Sequence, residues 1–534
     1  MSHIGHPPCD AGAILHGAPA AVPHAGAAAR WTLVAAILGS SMAFIDGTVV
    51  NVALPSIQRE LNATASDAQW VIESYALFLA ALLLVGGSLG DHFGRRRVFM
   101  VGVALFTLAS IGCGVSTNVA ALIAARSVQG VGAALLVPGS LALLSAAYPQ
   151  AERGAAIGTW SAFSGITAAV GPVIGGYLVD HYSWAWAFLV NAPVGGLLLL
   201  ICARKVPESL GSASREPVDV TGAILATVGL AGTVFAFIEA PARGWAATGV
   251  LSAGAVGVLA LGAFIVWEQR SPAPMLPLQL FKQRDVAGAN LLTLLLYGAL
   301  GGGLFFVPLN LIQVQGYGAT AAGAALLPFI AIMFALSTWA GTLVDRYGAK
   351  LPLIVGPAIA AVGFALFAAP AINANYWTTF FPAVCVLGLG MSITVAPLTT
   401  TVMNAVGPDL AGTASGINNA VSRAAGLLAI AVFGVVLAWA FNGSLVQSLR
   451  GVDAPPEAMA AIVAQRQKLA GASVPPGLPE AVTSDLKRAI AQSFVTGFRW
   501  VMLWSAALAL LSAVSAWFLI SGKPRSESPA GLPD

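Results

Sequence analysis

Asp46, Glu73, Arg126 and Arg423 each stand inside a long apolar run of this chain. A charge near the centre of a bilayer costs about 2.5–3.5 kcal/mol by insertion scales, so each such group is a candidate for chemistry. At a rise of about 1.5 Å per residue, Asp46 lies about 12 Å, Glu73 about 8 Å and Arg126 about 10 Å from one edge of their runs, which sets the three in one layer. Arg423 lies about 18 Å into its run from the opposite edge, near the middle. Two acids and one arginine at one depth leave one acid without a fixed partner. Apolar surroundings and a neighbouring arginine act on a carboxylate in opposite directions, so an acid whose pairing changes between conformations can take up and release a proton. Asp46 and Glu73 therefore read as groups that carry protons and bind a cation, with Arg126 adjusting their affinity. The alternative is a buried ion pair that only fixes helix packing. Arg423, preceded by Asn418 and Asn419, either lines a cavity and favours anionic or zwitterionic compounds, or pairs with backbone carbonyls.

The elements that must carry these residues are membrane helices. The chain has 534 residues, 57% of them hydrophobic and 9% charged, where a soluble domain carries about 25% charged residues. Fourteen runs near the ~20 residues needed to span a bilayer lie between residues 31 and 520. The expected fold is all-α and polytopic. An even number of spans puts both termini on one side. Arg30, the even-numbered loops and the C-terminal tail hold 15 Lys and Arg, whereas the short odd-numbered loops hold only Arg59 and Arg243. That asymmetry predicts a cell-membrane protein with both termini in the cytoplasm.

Two loops repeat. Gly87-Ser-Leu-Gly-Asp91-His-Phe-Gly94-Arg95-Arg-Arg97 recurs 254 residues later as Gly341-Thr-Leu-Val-Asp345-Arg346-Tyr-Gly348. A Gly-x-x-x-Gly pair at Gly154 and Gly158 recurs 258 residues later at Gly412 and Gly416. Near-equal offsets imply two related six-helix halves. The organisation expected is a disordered cytoplasmic tail at 1–30, a first half at 31–203, and a linker with two extra spans at 204–285. A second half follows at 286–520, with a long outer loop at 442–494, and a cytoplasmic tail at 521–534. Within that loop, Pro456–Leu469 and Glu480–Ala491 are weakly amphipathic and predict either two short interfacial helices or a poorly ordered loop.

The fifth span reads Gly165-Ile-Thr-Ala-Ala-Val-Gly171-Pro172-Val-Ile-Gly175-Gly176. Proline removes a helix hydrogen bond and the glycines admit a close neighbour, which suits a hinge or a tight seal. Trp184 and Trp186 read as interfacial anchors. Cys9, Cys113, Cys202 and Cys385 have no paired spacing and read as free thiols. His3, His6, His16 and His24 are spaced too irregularly for a metal site. No nucleotide-binding loop is present, so direct ATP drive would need another subunit.

Five stretches together resemble the fourteen-span drug:proton antiporter group of the major facilitator superfamily. They are Asp46-Gly-Thr-Val-Val-Asn-Val-Ala-Leu-Pro55, the loop at 87–99, Leu122-Ile-Ala-Ala-Arg126-Ser-Val-Gln129-Gly130, Gly165 to Gly176, and Gly341 to Gly348. The resemblance implies a secondary transporter, not an enzyme, made of two six-helix halves plus two extra central helices. It implies proton-coupled export of lipophilic, cationic drugs or toxic compounds by alternating access. The runner-up is an exporter of one metabolite or natural product, anionic if Arg423 binds it. A membrane-embedded enzyme or receptor is the third reading. Implied roles are proton binding at Asp46, proton transfer at Arg126, gating at Gly87, Asp91, Gly94 and Arg95 with Asp345 and Arg346 in the second copy, and an antiporter hinge at Gly171, Pro172, Gly175 and Gly176. Asn418 joins Asp46, Glu73 and Arg423 as a substrate-binding candidate. Glu73 lies outside the group's general pattern, and the second loop copy lacks the triple arginine. Partners are a small-molecule substrate, protons and the lipid bilayer, with no nucleic acid, no metal and no cofactor. A monomer is expected, with an accessory export partner left open.

Overall fold

The computed structural model describes residues 26–210, 218–406 and 411–521. Most of the expected N-terminal tail and all but the first residue of the C-terminal tail lie outside the described residues. The first helices are α1 (Ala27–Glu60), α2 (Ala65–Phe93), α3 (Arg95–Gly114), α4 (Val119–Ala147), α5 (Gln150–His181), α6 (Trp186–Leu189) and α7 (Asn191–Lys205). Two further helices follow, α8 (Val220–Arg243) and α9 (Thr248–Arg270). The rest are α10 (Arg284–Leu309), α11 (Ala319–Ala324), α12 (Leu327–Tyr347), α13 (Lys350–Phe367), α14 (Phe381–Asn404), α15 (Ala411–Leu449), α16 (Pro456–Ala464) and α17 (Glu480–Leu519). Fourteen helical segments are long and apolar enough to cross a membrane. The protein is an all-α, multi-pass membrane protein.

The chain enters α1 and leaves α17 at one end of the bundle, called here the terminal end; the α1–α2 connection marks the far end. In the first half α4 packs between α2 and α3, and α1 packs on α5 and α7. In the second half α10 and α13 both pack on α17, α10 also on α15, and α13 also on α14. Bare backbone makes these contacts close. A Cβ at Gly132 would lie 2.6 Å from the Phe106 nitrogen, and one at Gly363 2.7 Å from the Leu387 nitrogen. Small residues of this kind let membrane helices gain packing where lipid gives no hydrophobic drive.

The extra pair α8–α9 does not stand apart from the bundle. Helix α8 packs on α2 and on α15, so it touches both halves. Leu77 of α2, Val234 and Ile238 of α8, and Leu427 and Ala431 of α15 form one buried apolar cluster.

Two expectations from the sequence change here. Glu480–Ala491 forms no helix of its own; it is the start of α17, which runs unbroken to Leu519. No breaker interrupts it, and Leu486, Ala489, Ile490, Ser493, Phe494, Gly497 and Phe498 make one buried stripe at helical spacing. Helix α15 reaches Leu449, leaving a shorter connection that contains α16 and a 3-10 turn at Arg466–Gly471. Trp184 is 4% exposed and its Nε1 donates to Glu60 Oε2 at 2.9 Å; it ties the far ends of two spans together and does not anchor a surface. Trp186 is exposed.

Candidate functional site

Asp46 and Arg126 meet inside the first half. Their side chains are 0% and 1% exposed, and Arg126 Nη1 donates to Asp46 Oδ2 at 2.5 Å. Asp46 Oδ1 accepts from Gln129 Nε2 at 2.7 Å and from Asn191 Nδ2 at 3.4 Å. Arg126 Nε donates to the Val71 carbonyl at 2.9 Å, and its Nη1 also to Gln129 Oε1 at 2.7 Å. Gln129 Nε2 and Asn191 Nδ2 both reach Ser110 Oγ, at 2.7 and 3.3 Å. The guanidinium lies 4.3 Å from the Tyr75 ring centroid and 5.7 Å from that of Phe188, cation–π contacts that soften its desolvation.

Six helices build this hub: α1, α2, α3, α4, α6 and α7. Arg126 and Gln129 are three residues apart on α4 and so share a face. Removing one member of a buried pair leaves the other charge uncompensated, at about 3–5 kcal/mol. Neutralise Asp46 and the guanidinium keeps Val71, Gln129 and the two rings but loses its strongest partner.

Glu73 stands elsewhere. It is 0% exposed, and both carboxyl oxygens are buried without a hydrogen-bond partner among the described residues. It is two positions along the helix from Val71 and from Tyr75, about 200° around at 3.6 residues per turn. Glu73 thus shares the α2 stripe of Ser66, Gln69, Trp70 and Leu77. That stripe faces α8 and α15: Ser66 Oγ donates to the Ile238 carbonyl, Trp70 Nε1 to Glu239 Oε1 and Gln69 Nε2 to the Ile430 carbonyl, each at 3.0 Å. One layer does not mean one site, and the expected grouping of Glu73 with Arg126 is not what the helix rotation gives.

In the second half, Arg423 has its Nε buried without a partner among the described residues and stands close enough to act electrostatically on Tyr75. Asn418 is 3% exposed and donates to Asn290 Oδ1 at 3.2 Å and Thr293 Oγ1 at 2.7 Å, which fastens α15 to α10.

The terminal-end loop is held by an acid the sequence reading did not pick out. Gly94 has φ +104°, a conformation open to glycine. A Cβ there would lie 2.9 Å from the Glu208 carboxyl. Glu208 Oε1 accepts from the Arg96 backbone N–H at 2.9 Å, and Oε2 stands 3.6 and 3.7 Å from Arg96 and Arg97 Nε. Arg95 Nε donates to Asp91 Oδ1 at 2.8 Å and Arg95 Nη1 to the Ala142 carbonyl at 3.4 Å. Gly87 faces Pro138 of α4. In the second copy Arg346 lies over the Tyr347 ring, and the Asp345 side chain is outside the described residues.

At the far end the halves are joined. Gly171 and Gly175 of α5 sit on Thr48 and Val49 of α1, Gly176 sits on the Ala319 carbonyl, and Gly323 sits on the Pro172 carbonyl. Asp180 caps α11, accepting from Ala319 N–H at 2.9 Å, Thr320 N–H at 2.8 Å and Thr320 Oγ1 at 2.6 Å. Gln313 Nε2 donates to Gln58 Oε1 at 2.8 Å, and Lys468 Nζ to Asn62 Oδ1 at 2.6 Å. Tyr75, Ser110, Asn191, Asp180 and Glu208 were not read from the sequence as site residues. Each is a single polar residue in or beside a span, too common a feature to stand out until the helices are assembled.

These features are those of a membrane transporter rather than an enzyme, and residues 36–430 match the family model described as Major Facilitator Superfamily. The chain belongs to that superfamily, and its fourteen spans fit the drug:proton antiporter group. It is 33% identical over 535 residues to the "Tetracenomycin C resistance and export protein" of Streptomyces glaucescens, covering 97% of each chain. It is 38% identical over 428 residues to "Multidrug resistance protein Stp" of Mycobacterium tuberculosis (79% of each chain), and 34% identical over 506 residues to "Puromycin resistance protein pur8" of Streptomyces alboniger (94% of this chain, 93% of that one). Among solved structures, an inward-facing, occupied bacterial homologue of the human lysosomal transporter Spinster superposes with a TM-score of 0.63 at 17% identity, over 91% of this chain and 96% of that one. The fold is shared at that distance.

Proposed function

We propose that this protein exports lipophilic, cationic compounds across the cell membrane in exchange for protons, by alternating access. The observation that carries this reading is the wholly buried Asp46–Arg126 pair, set where protonation of one carboxyl changes the partners of one guanidinium. A cationic substrate competes with a proton, and with Arg126, for Asp46. The far-end seal of α5, α11 and the 466–471 turn is the second support. With the basic loops on the cytoplasmic side, the far end faces outward, and the described state is closed to the outside. Gly176 and the Pro172 carbonyl, which meet Ala319 and Gly323, are the surfaces that part when it opens, while Gly171 and Gly175 hold α5 against α1 as it moves. Asp91, Arg95 and their second-half counterparts Asp345 and Arg346 hold the opposite gate, with Glu208 as the brace of the first. Glu73 is a second protonatable group, placed to feel movement between α2, α8 and α15. The names of the relatives, resistance proteins for tetracenomycin C and puromycin among them, favour export of antibiotics.

Arg423 favours a second reading, export of one anionic metabolite or natural product. Unrelated lipophilic cations as substrates support the first reading; a single accumulated anion in a deletion strain supports the second.

The test uses inverted membrane vesicles with an acid interior and a pH-sensitive dye. Candidate compounds should trigger proton release with the native protein and none with Asp46→Asn. Equal release from both would remove Asp46 from the coupling step.

A further inference from the structure

A second pair of carboxyls lies far from the hub, where α8 begins and α9 ends. Asp219 is 9% exposed and Glu268 3%. One oxygen of each is satisfied. Asp219 Oδ1 accepts from Gly222 N–H and from Trp267 Nε1, both at 2.8 Å, and Glu268 Oε2 accepts from Leu276 N–H at 2.9 Å. The other two, Asp219 Oδ2 and Glu268 Oε1, are buried without a donor among the described residues. They converge on one spot. A Cβ at Gly222 would lie 2.6 Å from Asp219 Oδ2 and 2.7 Å from Glu268 Oε1, and the two carboxyls are within hydrogen-bonding reach of each other.

Among the described residues the surroundings supply no positive charge. Among the described residues the charged side chain acting on Glu268 is Asp219. Helix α2 faces this end of α8 with Phe78, Leu82 and Val85, and α15 meets α8 through Leu427 and Ala431. The 271–278 segment contributes the Leu276 N–H, and Arg270 and Lys282 are exposed. Two carboxylates facing one another in an apolar setting repel, whereas a single proton turns one into a donor for the other.

We propose that Asp219 Oδ2 and Glu268 Oε1 share one proton, making a pH-dependent clasp between the two inserted helices at the terminal end of the bundle. Unfolded carboxyls release their protons near about pH 4, whereas the facing pair keeps one to higher pH, so the clasp's stabilisation is fully present in acid and lost as the folded pair deprotonates. Because α8 packs on both halves, loosening the clasp frees a helix that touches each of them. The clasp needs nothing from Asp46, and Asp46→Asn leaves it unchanged.

The experiment is infrared difference spectroscopy on the purified full-length protein, titrated from about pH 5 to about pH 9, alongside unfolding temperatures over the same range. The native protein should show a protonated-carboxyl C=O band that disappears as pH rises and that is missing from both Glu268→Gln and Asp219→Asn. The unfolding temperature of the variants should depend less on pH than the native one. If Glu268→Gln does not fold, Asp219→Asn carries the test, since its amide puts a permanent N–H donor where the shared proton sat. Carboxyl bands and pH courses identical in the native protein and both variants, leaving only bands common to all three such as that of the buried Glu73, would overturn the proposal. Stabilisation of the native protein alone by added magnesium or calcium would overturn it in favour of a cation site.

Discussion

Arg126 is the residue whose loss the fold should feel most. Its removal leaves Asp46 buried among Gln129, Asn191 and apolar walls. Arg126→Ala should therefore lower stability by about 3–5 kcal/mol, read as a lowered unfolding temperature in detergent; a loss under about 1 kcal/mol would mean the pair is solvated. Glu73 predicts the opposite. Its carboxyl has no partner to lose among the described residues, so Glu73→Leu should fold at least as stably as the native protein while changing how transport depends on pH. A marked drop in unfolding temperature would reveal a partner for Glu73. Depth counting along the spans was enough to find Asp46, Glu73 and Arg126. It did not separate them, because rotation about α2 depends on which neighbours its stripe packs against. Ser110 and Asn191 were illegible for another reason: a neutral polar residue in an apolar span costs too little to draw notice alone.

At the scale of elements, α5 carries the heaviest expectation. Its Gly176 lies on the Ala319 carbonyl and its Pro172 carbonyl lies on Gly323, so backbone meets backbone across the two halves. Gly176→Leu should hold this contact apart and abolish transport while leaving the hub intact; cysteine-labelling at the far end, in otherwise closed conditions, should rise. Unchanged transport would remove α5 from the seal. The number of spans, the repeated halves and the inserted pair were all legible from hydropathy and spacing, since a span is defined by length and apolarity alone. The start of α17 was not. Its first turns are polar enough to resemble a surface helix, and only burial of the Leu486–Phe498 stripe joins them to the span. The turn at 466–471 was equally hidden: Leu469 takes φ 53° and is 7% exposed, held there by tertiary contact.

For the whole molecule, alternating access requires the far end to part. Lys468 and Asn62 join the 466–471 turn to the α1–α2 connection. Cysteines at both positions, tied by a short bifunctional thiol reagent in a background without native cysteines, should stop transport, and a cleavable reagent should restore it on reduction. Full activity after cross-linking would mean the far end stays shut throughout the cycle. For the proposed proton exchange the driving force would be adequate. One proton moving inward across 100 mV releases about 2.3 kcal/mol and one pH unit adds about 1.4, together enough for roughly a 500-fold gradient of a neutral compound. A monovalent cation exchanged for one proton is electroneutral and draws only on the pH difference.

The most direct measurement separates coupling from binding. The native protein and Asp46→Asn would be reconstituted in liposomes and compared for two activities: uphill transport of a lipophilic cation driven by a pH gradient, and exchange of labelled for unlabelled compound with no gradient. If Asp46 is the coupling carboxyl, the variant loses uphill transport, whereas exchange, which needs no net proton movement, persists with a raised KM because the cation has lost one anionic partner. Uphill transport by Asp46→Asn at the native rate would contradict the central claim.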